Sequence, residues 1–454
     1  MVIHALDSAG RRRRWRTRRT GRRAAPRRRR RGRGAGRTPR DGRGTRPHPR
    51  ARRVSVRPRL SGPLYRLSGG PDGTRSRGTG PPAVRPRCHR RRPDRAIDAG
   101  GPASGAGTVP STLSSPYVSA GDALRVARLW WELRRTEPDA LFAGDDERID
   151  AFLRDRGFSE AFIEGFIAPF YGGITLDRSL ATSRRVFEYT FRTLAAGETV
   201  VPATGMEAIP TQLAARVREA GGTIRTGVEV ESVTATDADS SGTERVDRRV
   251  TLETDGGPID ADAVVVATDP PTARDLTDVP SIPTDGRGCV TQYYALPAEI
   301  DLETGRRLLL NATDRGPNHV VPHSAVAPEY APDGTTLLSA TYLDEQFEGA
   351  GSATGSDADR GPDASDAALV ERTRRALESW YPDRQFAALE ALHTERVPFA
   401  QFDQPPGVYD RLPDVRAPAG PVYLAGDYTQ WSSIQGAMES GRQAAKAVID
   451  DLSR

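Results

Sequence analysis

Lysine is almost missing from this chain: Lys446 stands alone against 65 arginines. Cysteine is nearly as scarce. Cys88 and Cys289 are the only two, which excludes a disulfide framework and a cysteine zinc site and is compatible with a reducing interior. No stretch reaches the roughly 18 apolar residues that a membrane-spanning helix needs. Aromatic residues make up 6% and hydrophobic residues 37% of the 454 positions, the latter below the usual globular share. Negative charge is missing from one end only. Residues 1–100 hold 33 Arg, 5 Asp and no Glu, a net +28, whereas the remainder holds 33 basic and 55 acidic residues, a net −22. The overall +6 therefore describes neither part.

The first 107 residues do not read as a folding sequence. Runs such as Arg11–Arg14 and Arg27–Arg31 set like charges side by side, and Gly, Pro, Ser and Thr fill most gaps. No apolar period of 3.6 or 2.0 is present, so the segment cannot bury enough surface to offset chain entropy. The twin arginines lack a following apolar region, which argues against an export signal. Three readings remain open. Dense arginine neutralises phosphate and suits a nucleic-acid tail, although only Trp15 and Tyr65 offer base stacking. A solvated disordered tail is the second. The third, which the composition break favours, is a displaced reading frame. GC-rich DNA read out of frame yields Arg, Gly, Pro and Ala. With synonymous codons, a one-base shift across Arg11–Ala35 is compatible with a glycine-rich run, then a helix and a strand ending in an acidic residue. That is the pattern of a phosphate-binding strand-turn-helix.

From about Leu113 the chain changes character. Its abundant Asp and near-absent Lys suit a surface adapted to high salt, kept soluble by hydrated carboxylates. Ordinary acidic drift is the alternative. Ser119-Ala-Gly-Asp122 predicts a helix cap before an apolar run to Leu133. Two short helices are expected over 149–157 and 159–167. The spacing of Met206, Ile209, Leu213 and Val217 marks one apolar helical face. Short strands are expected at 223–226, 228–233, 250–254 and 261–267, the last a continuous apolar run suited to burial on both faces. Further strands are expected at 290–296, 307–311 and 336–342. A helix over 366–380, a buried strand over 421–425 and a helix over 435–452 complete the pattern. Asp237–Asp247 and Gly349–Asp366 read as loop insertions.

The sharpest constellation is C-terminal. Val422-Tyr-Leu-Ala-Gly426-Asp427 is followed by a loop and then Gly436-Ala-Met-Glu-Ser-Gly441. A buried strand ending in Gly-Asp, a turn and a glycine-started helix suit a dinucleotide. Gly426 has no Cβ to obstruct close approach, Asp427 can accept hydrogen bonds from ribose-like hydroxyls, and helix-start amides attract an anionic group.

With that constellation the chain from about Leu113 onward resembles the FAD-dependent amine oxidase and phytoene desaturase superfamily. Ile167-Ala-Pro-Phe-Tyr-Gly-Gly-Ile174 is similar to its substrate-domain signature. Val201-Pro-Ala-Thr-Gly-Met-Glu-Ala-Ile209 is similar to the segment leading back to the cofactor domain. The resemblance implies an α/β fold: a Rossmann-like FAD/NAD(P)-binding domain of glutathione-reductase type, incomplete at its N-terminus, plus an α+β substrate domain. The FAD-binding parts would be 201–285 and 413–454, and the substrate parts 113–200 and 286–412. It also implies FAD as cofactor, with Asp427 on the ribityl or pyrophosphate portion and the amides of Gly436, Ala437 and Met438 facing the pyrophosphate and flavin ring. Val230 would bond the adenine through its main chain, and Ala267 and Thr268 would line the adenosine. The implied function is an oxidoreductase acting on an apolar or amine substrate. An isoprenoid- or porphyrin-like molecule is favoured by the branch resembled.

One departure is large. The family's N-terminal glycine-rich loop, its acidic ribose ligand and its Gly-Gly-Arg segment are not present in frame. A central strand should then lack its neighbour, and FAD binding should be poor or absent. No catalytic acid or base is assigned, because the flavin performs the redox chemistry. His319 and His323 sit four apart between Pro317 and Pro322, which break the helix a metal pair would need, so no metal is expected. Trp431 is a candidate to flank the flavin, and Phe170 and Tyr171 to line a substrate cavity, with core packing as the alternative for all three. No specific nucleic acid is expected as partner. The expected location is the cytoplasm, with room for peripheral membrane contact.

Overall fold

A serine fixes where the first helix begins. Ser119 caps α1 (Ala120–Arg135) and forms a reciprocal capping box with Asp122. The Asp122 carboxylate also accepts from the amide (2.9 Å) and hydroxyl (2.8 Å) of Ser159, tying two helix starts together. Burial opposes charge on this carboxyl, but the hydrogen bonds from Ser119 and Ser159 outweigh it and hold its pKa below the ordinary value. This computed structural model describes residues 117–453 apart from 138, 197–198, 237–248, 314–315 and 344–364, together with three short N-terminal strands. Most of the arginine-rich segment and both predicted loop insertions therefore lie outside the described residues.

The helical part continues with α2 (Ile149–Asp155), stopped by Gly157 at φ 77°. Ser159 then starts a run of helical turns that passes through a π-helical stretch at Ile163–Ile167 into α3 (Ala168–Thr175). The sequence reading ended this helix at Ile167, eight residues and about two turns early. After α4 (Arg184–Ala196) these helices share a core of Leu129, Leu133, Phe152, Phe162, Tyr171 and Phe187.

Strands β1 (Ile3–Leu6), β2 (Ala83–Val84) and β3 (Ala96–Asp98) come from the N-terminal segment, and β4 is Thr199–Val200. Helix α5 (Ala208–Glu219) forms where the period predicts, but none of its residues is buried. Leu213 is 44% exposed, and Ile224 and Val228 just beyond are 37% each. The strand expected at 223–226 does not form. Both departures have one cause: no described element covers this flank, so the apolar face and the extended chain have nothing to pack or pair with.

An antiparallel meander follows, β5 (Val230–Thr236), β6 (Arg249–Thr254) and β7 (Ile259–Ala261). Then comes β8 (Ala263–Val266), with Val264 and Val266 fully buried, and helix α6 (Pro270–Thr277), capped by Asp269. A larger sheet orders as β13-β9-β12-β11-β10-β3. It comprises β9 (Gly286–Pro297), β10 (Leu309–Asn311), β11 (His319–Pro322), β12 (Thr335–Leu343) and β13 (Glu390–Phe402). Helix α7 (Asp366–Trp380) covers one face through Leu369 and Leu377, against Tyr294, Leu296, Leu338 and Tyr342.

The chain returns as β14 (Val422–Leu424), parallel to β8 with Leu424 opposite Val266, and ends in α8 (Ile434–Leu452). The other side of β8 is not bare, contrary to the sequence expectation. Ile3–Leu6 lies there, but antiparallel, with Ile3 opposite Val266. Its direction places Leu6 at the edge away from the C-terminal ends of β8 and β14. A phosphate loop after a strand must emerge at the opposite edge.

Candidate functional site

The parallel register of β8 and β14 brings four of the sequence-selected residues to one edge. Ala425 donates to the Val266 carbonyl at 2.9 Å, so Ala267 and Thr268 leave the sheet beside Gly426 and Asp427. Thr268 is buried, and its hydroxyl donates to the Asp269 carbonyl at 3.2 Å. Val230 opens β5 opposite Thr254 and packs on the cluster that contains Val264, Val266 and Tyr428.

Gly426 and Gly436 serve the chain itself. A Cβ on Gly426 would collide with the Tyr428 ring, and one on Gly436 with the Trp431 carbonyl oxygen. Tyr428, fully buried, reaches the carbonyls of Val266 and Ala425, each at 3.5 Å. The expected open approach at Gly426 is therefore occupied by a side chain. The amides at the start of α8 need a similar correction. Gly436 donates to Ser433 Oγ at 2.9 Å and Ala437 to the Ser433 carbonyl at 3.0 Å, so capping and helix formation use both. What α8 offers a ligand is the positive end of its dipole and the exposed side of Ala437 and Met438, the latter 39% exposed.

Asp427 is the most chemically distinct group here. Ser432 Oγ donates to its Oδ2 at 3.0 Å, yet burial dominates and pushes the carboxyl up to about 6. Against an ordinary value of 3.8, that costs the folded state at most about 3 kcal/mol at neutral pH. A carboxyl whose pKa is raised on folding gains stability as pH falls through its folded value. Asp427→Asn should therefore stabilise the fold by about 1–3 kcal/mol at pH 7, with the gain shrinking below pH 6 and gone near pH 4. Urea unfolding across that range reads the difference directly, and an unchanged midpoint at pH 7 would refute it.

The aromatic candidates separate. Tyr171 is 1% exposed and packs on Phe187 at 4.7 Å, with Phe170 beside it, so Tyr171 belongs to the helical core rather than a cavity wall. Trp431 is half-buried against Phe142 (5.8 Å) and Tyr189 (5.3 Å), which joins the loop before α8 to the helical part. The structure also assembles residues that the sequence did not single out. Tyr293, Ser339 and His393 share the face of the large sheet opposite α7 by strand register. His323 Nε2 meets Ser339 Oγ at 2.7 Å. Period-two alternation in β9 was the available signal, but it does not distinguish a cavity face from a core face.

Comparison with known proteins gives this geometry a family. The model of flavin containing amine oxidoreductases matches residues 102–449. The chain belongs to that family. Its members are flavin-dependent oxidoreductases with FAD as cofactor. A tomato (Solanum lycopersicum) 15-cis-phytoene desaturase is 30% identical over 95 residues, 19% of this chain and 16% of the desaturase. The narcissus (Narcissus pseudonarcissus) enzyme of the same name is 31% identical over 97 residues, 19% and 17% respectively. The chain thus matches about a sixth of the length of these relatives. An oxidoreductase from Methanosarcina mazei shares the fold with a TM-score of 0.51 at 17% identity, covering 72% of this chain and 73% of that one. Among the described residues, no helix is long and apolar enough to cross a membrane.

Among the described residues, those that fit FAD lie on one side of it. Asp427, the parallel strand ends and the α8 terminus fit the flavin-proximal part of such a cofactor. For its phosphates, the strand beside β8 runs the wrong way and no glycine-rich loop follows it in the sequence.

Proposed function

We propose that this chain encodes an FAD-dependent dehydrogenase of apolar substrates whose phosphate-binding unit has been lost to a displaced reading frame, leaving the polypeptide as written without effective FAD binding. FAD, when bound, accepts a hydride equivalent from a substrate C–H bond. The chain's own part is to bind and orient. Asp427 would take the ribityl or pyrophosphate portion, Ala437 and Met438 would face the flavin, and Val230, Ala267 and Thr268 would lie toward the adenosine. We assign 201–285 and 413–454 to the cofactor domain and 113–200 and 286–412 to the substrate domain. A cytoplasmic enzyme with peripheral membrane contact fits this reading.

The observation that carries it is the parallel β8–β14 pair delivering Asp427 to the start of α8. The family match begins near the point where the composition changes, which supports the frame reading. Three features of the fold support it as well: the uncovered flank of α5, the strand absent at 223–226 and the reversed neighbour of β8. Each would be accounted for by a missing strand-helix-strand unit.

The test is a reconstructed gene, with one base inserted or deleted near codons 1–10 and a compensating change near 108–113. The purified product should absorb near about 450 nm, as oxidised flavin does. Anaerobic addition of an isoprenoid substrate, but not of a primary amine, should bleach that band. A reconstructed protein that folds without flavin, or that only an amine bleaches, would overturn the reading.

A further inference from the structure

Helix α1 has two unlike faces. The inner face buries Leu129 and Leu133 in the helical core. The outer face runs Leu124, Arg128, Trp131, Arg135, steps of four, three and four residues that fall along one side of a helix. Leu124 is 73% and Trp131 55% exposed, and neither belongs to the core that the inner face joins.

The charge of this helix is one-sided. The Arg135 guanidinium lies 3.8 Å from the centre of the Trp131 ring, and that of Arg134 lies 4.6 Å from Trp130. Arg125 stands 3.8 Å from the buried Asp122 carboxylate. Glu132 is the other carboxylate of the helix, and Arg156 donates to both its oxygens at 2.9 and 3.1 Å. Those bonds, with a smaller effect from Arg128, hold the Glu132 carboxyl below its ordinary range. Counted with Arg156, five arginines stand against these two carboxylates. Arg192 of α4 adds a cation at the helix end, where it donates to the carbonyls of Leu133 and Thr136 at 3.1 Å each. The next carboxylate along the chain, Glu137, lies past that end.

Residues 101–454 carry a net −22, so α1 is a basic island on an acidic body and attracts anions where the rest of the surface repels them. Its composition also selects among anionic partners. A hydrated acidic surface would satisfy the arginines but leave Leu124 and Trp131 in water. The headgroup layer of an anionic bilayer satisfies both, with guanidinium groups among phosphates, the indole at the interface and the leucine below it.

We propose that the Leu124–Arg128–Trp131–Arg135 stripe of α1 is the face by which this protein lies on an anionic lipid bilayer. This rests on the peripheral membrane contact in the reading above and assigns that contact to residues. The test is tryptophan fluorescence of the full chain, titrated with phosphatidylserine–phosphatidylcholine vesicles whose acyl chains are brominated. The arginines of the first hundred residues attract the same lipids, so the readout must be local. Emission should be quenched, and Trp131→Phe should remove most of the quenching. Arg128→Gln combined with Arg135→Gln should raise the lipid concentration for half-quenching about tenfold. Leu124→Asn, which keeps the indole, should raise it about threefold and guards against a Trp131→Phe variant that fails to fold. Equal quenching with and without Trp131 would overturn the proposal, as would equal affinity for pure phosphatidylcholine vesicles. So would a blue shift of emission that grows with protein concentration in the absence of lipid, the mark of a second copy on this face. Sedimentation with vesicles but no quenching of Trp131 would overturn the face and leave membrane contact itself standing. Flavin absorbance of the reconstructed protein reports on the cofactor reading separately.

Discussion

The polypeptide as written should leave purification colourless, with less than about a tenth of an equivalent of flavin, while the frame-restored protein leaves yellow. The size of the difference follows from what an FAD site requires. Most anchoring of a dinucleotide comes from backbone amides at a helix start, reached through a glycine turn directly after a parallel strand. Here the strand beside β8 is Ile3–Leu6, in reverse, so among the described residues no such amide cluster stands at the edge of Asp427. Asp427 and the α8 terminus cannot replace it, because the amides of Gly436 and Ala437 are already engaged by Ser433. Soaking the chain with excess FAD followed by gel filtration and a spectrum decides the matter. A stoichiometric yellow complex would show the phosphate unit to be dispensable.

Arg185→Ala should cost about 3–5 kcal/mol of folding stability. Arg185 is 3% exposed and lies 3.8 Å from Asp146, itself 4% exposed. It donates to Asp410 at 2.9 Å and to the Gly144 carbonyl. Asp146 also accepts from Ser183 Oγ (2.8 Å) and from the Gly407 amide (2.8 Å). Removing the guanidinium leaves a buried carboxylate without its cation and loosens the joint between α4 and the strap at 403–411. Asp410→Ala supplies the contrast. Its carboxylate is 62% exposed, so its loss should cost less than about 1 kcal/mol. Urea midpoints of both variants check the pair, and equal effects would refute the buried-joint account.

Much of the fold was legible where local signals and burial agree. Ser119 and Asp122 announced α1, the 366–380 helix has the bounds expected, and the run Ala263–Val266 is the doubly buried strand its composition implied. Strand β13 was not legible. It is an edge strand with mixed polar and charged residues and Pro398 inside it, and its register shifts between Val397 and Gln401, so neither alternation nor β-propensity marks it. Strand β11 is four residues long and is held by its neighbours rather than by its own pattern. At the site, Gly426, Asp427 and the start of α8 could be picked out because they sit close in sequence around one turn, whereas Ala267 and Thr268 came only from the family resemblance. The grouping of Tyr293, Ser339 and His393 could not, because they come from three strands, β9, β12 and β13, that only register brings together. The amides of Gly436 and Ala437 were misjudged because sequence shows a helix start but not which groups its own cap consumes.

The side of α5 that no described element covers carries a consequence for handling the molecule. Leu213, Ile224 and Val228 sit on a body of strongly negative charge. In dilute buffer, the net −22 carried by residues 101–454 opposes contact between two such strips. Concentrated electrolyte suppresses the repulsion while strengthening apolar adhesion. Concentrated salt would then turn the strip into a seam along which molecules clump.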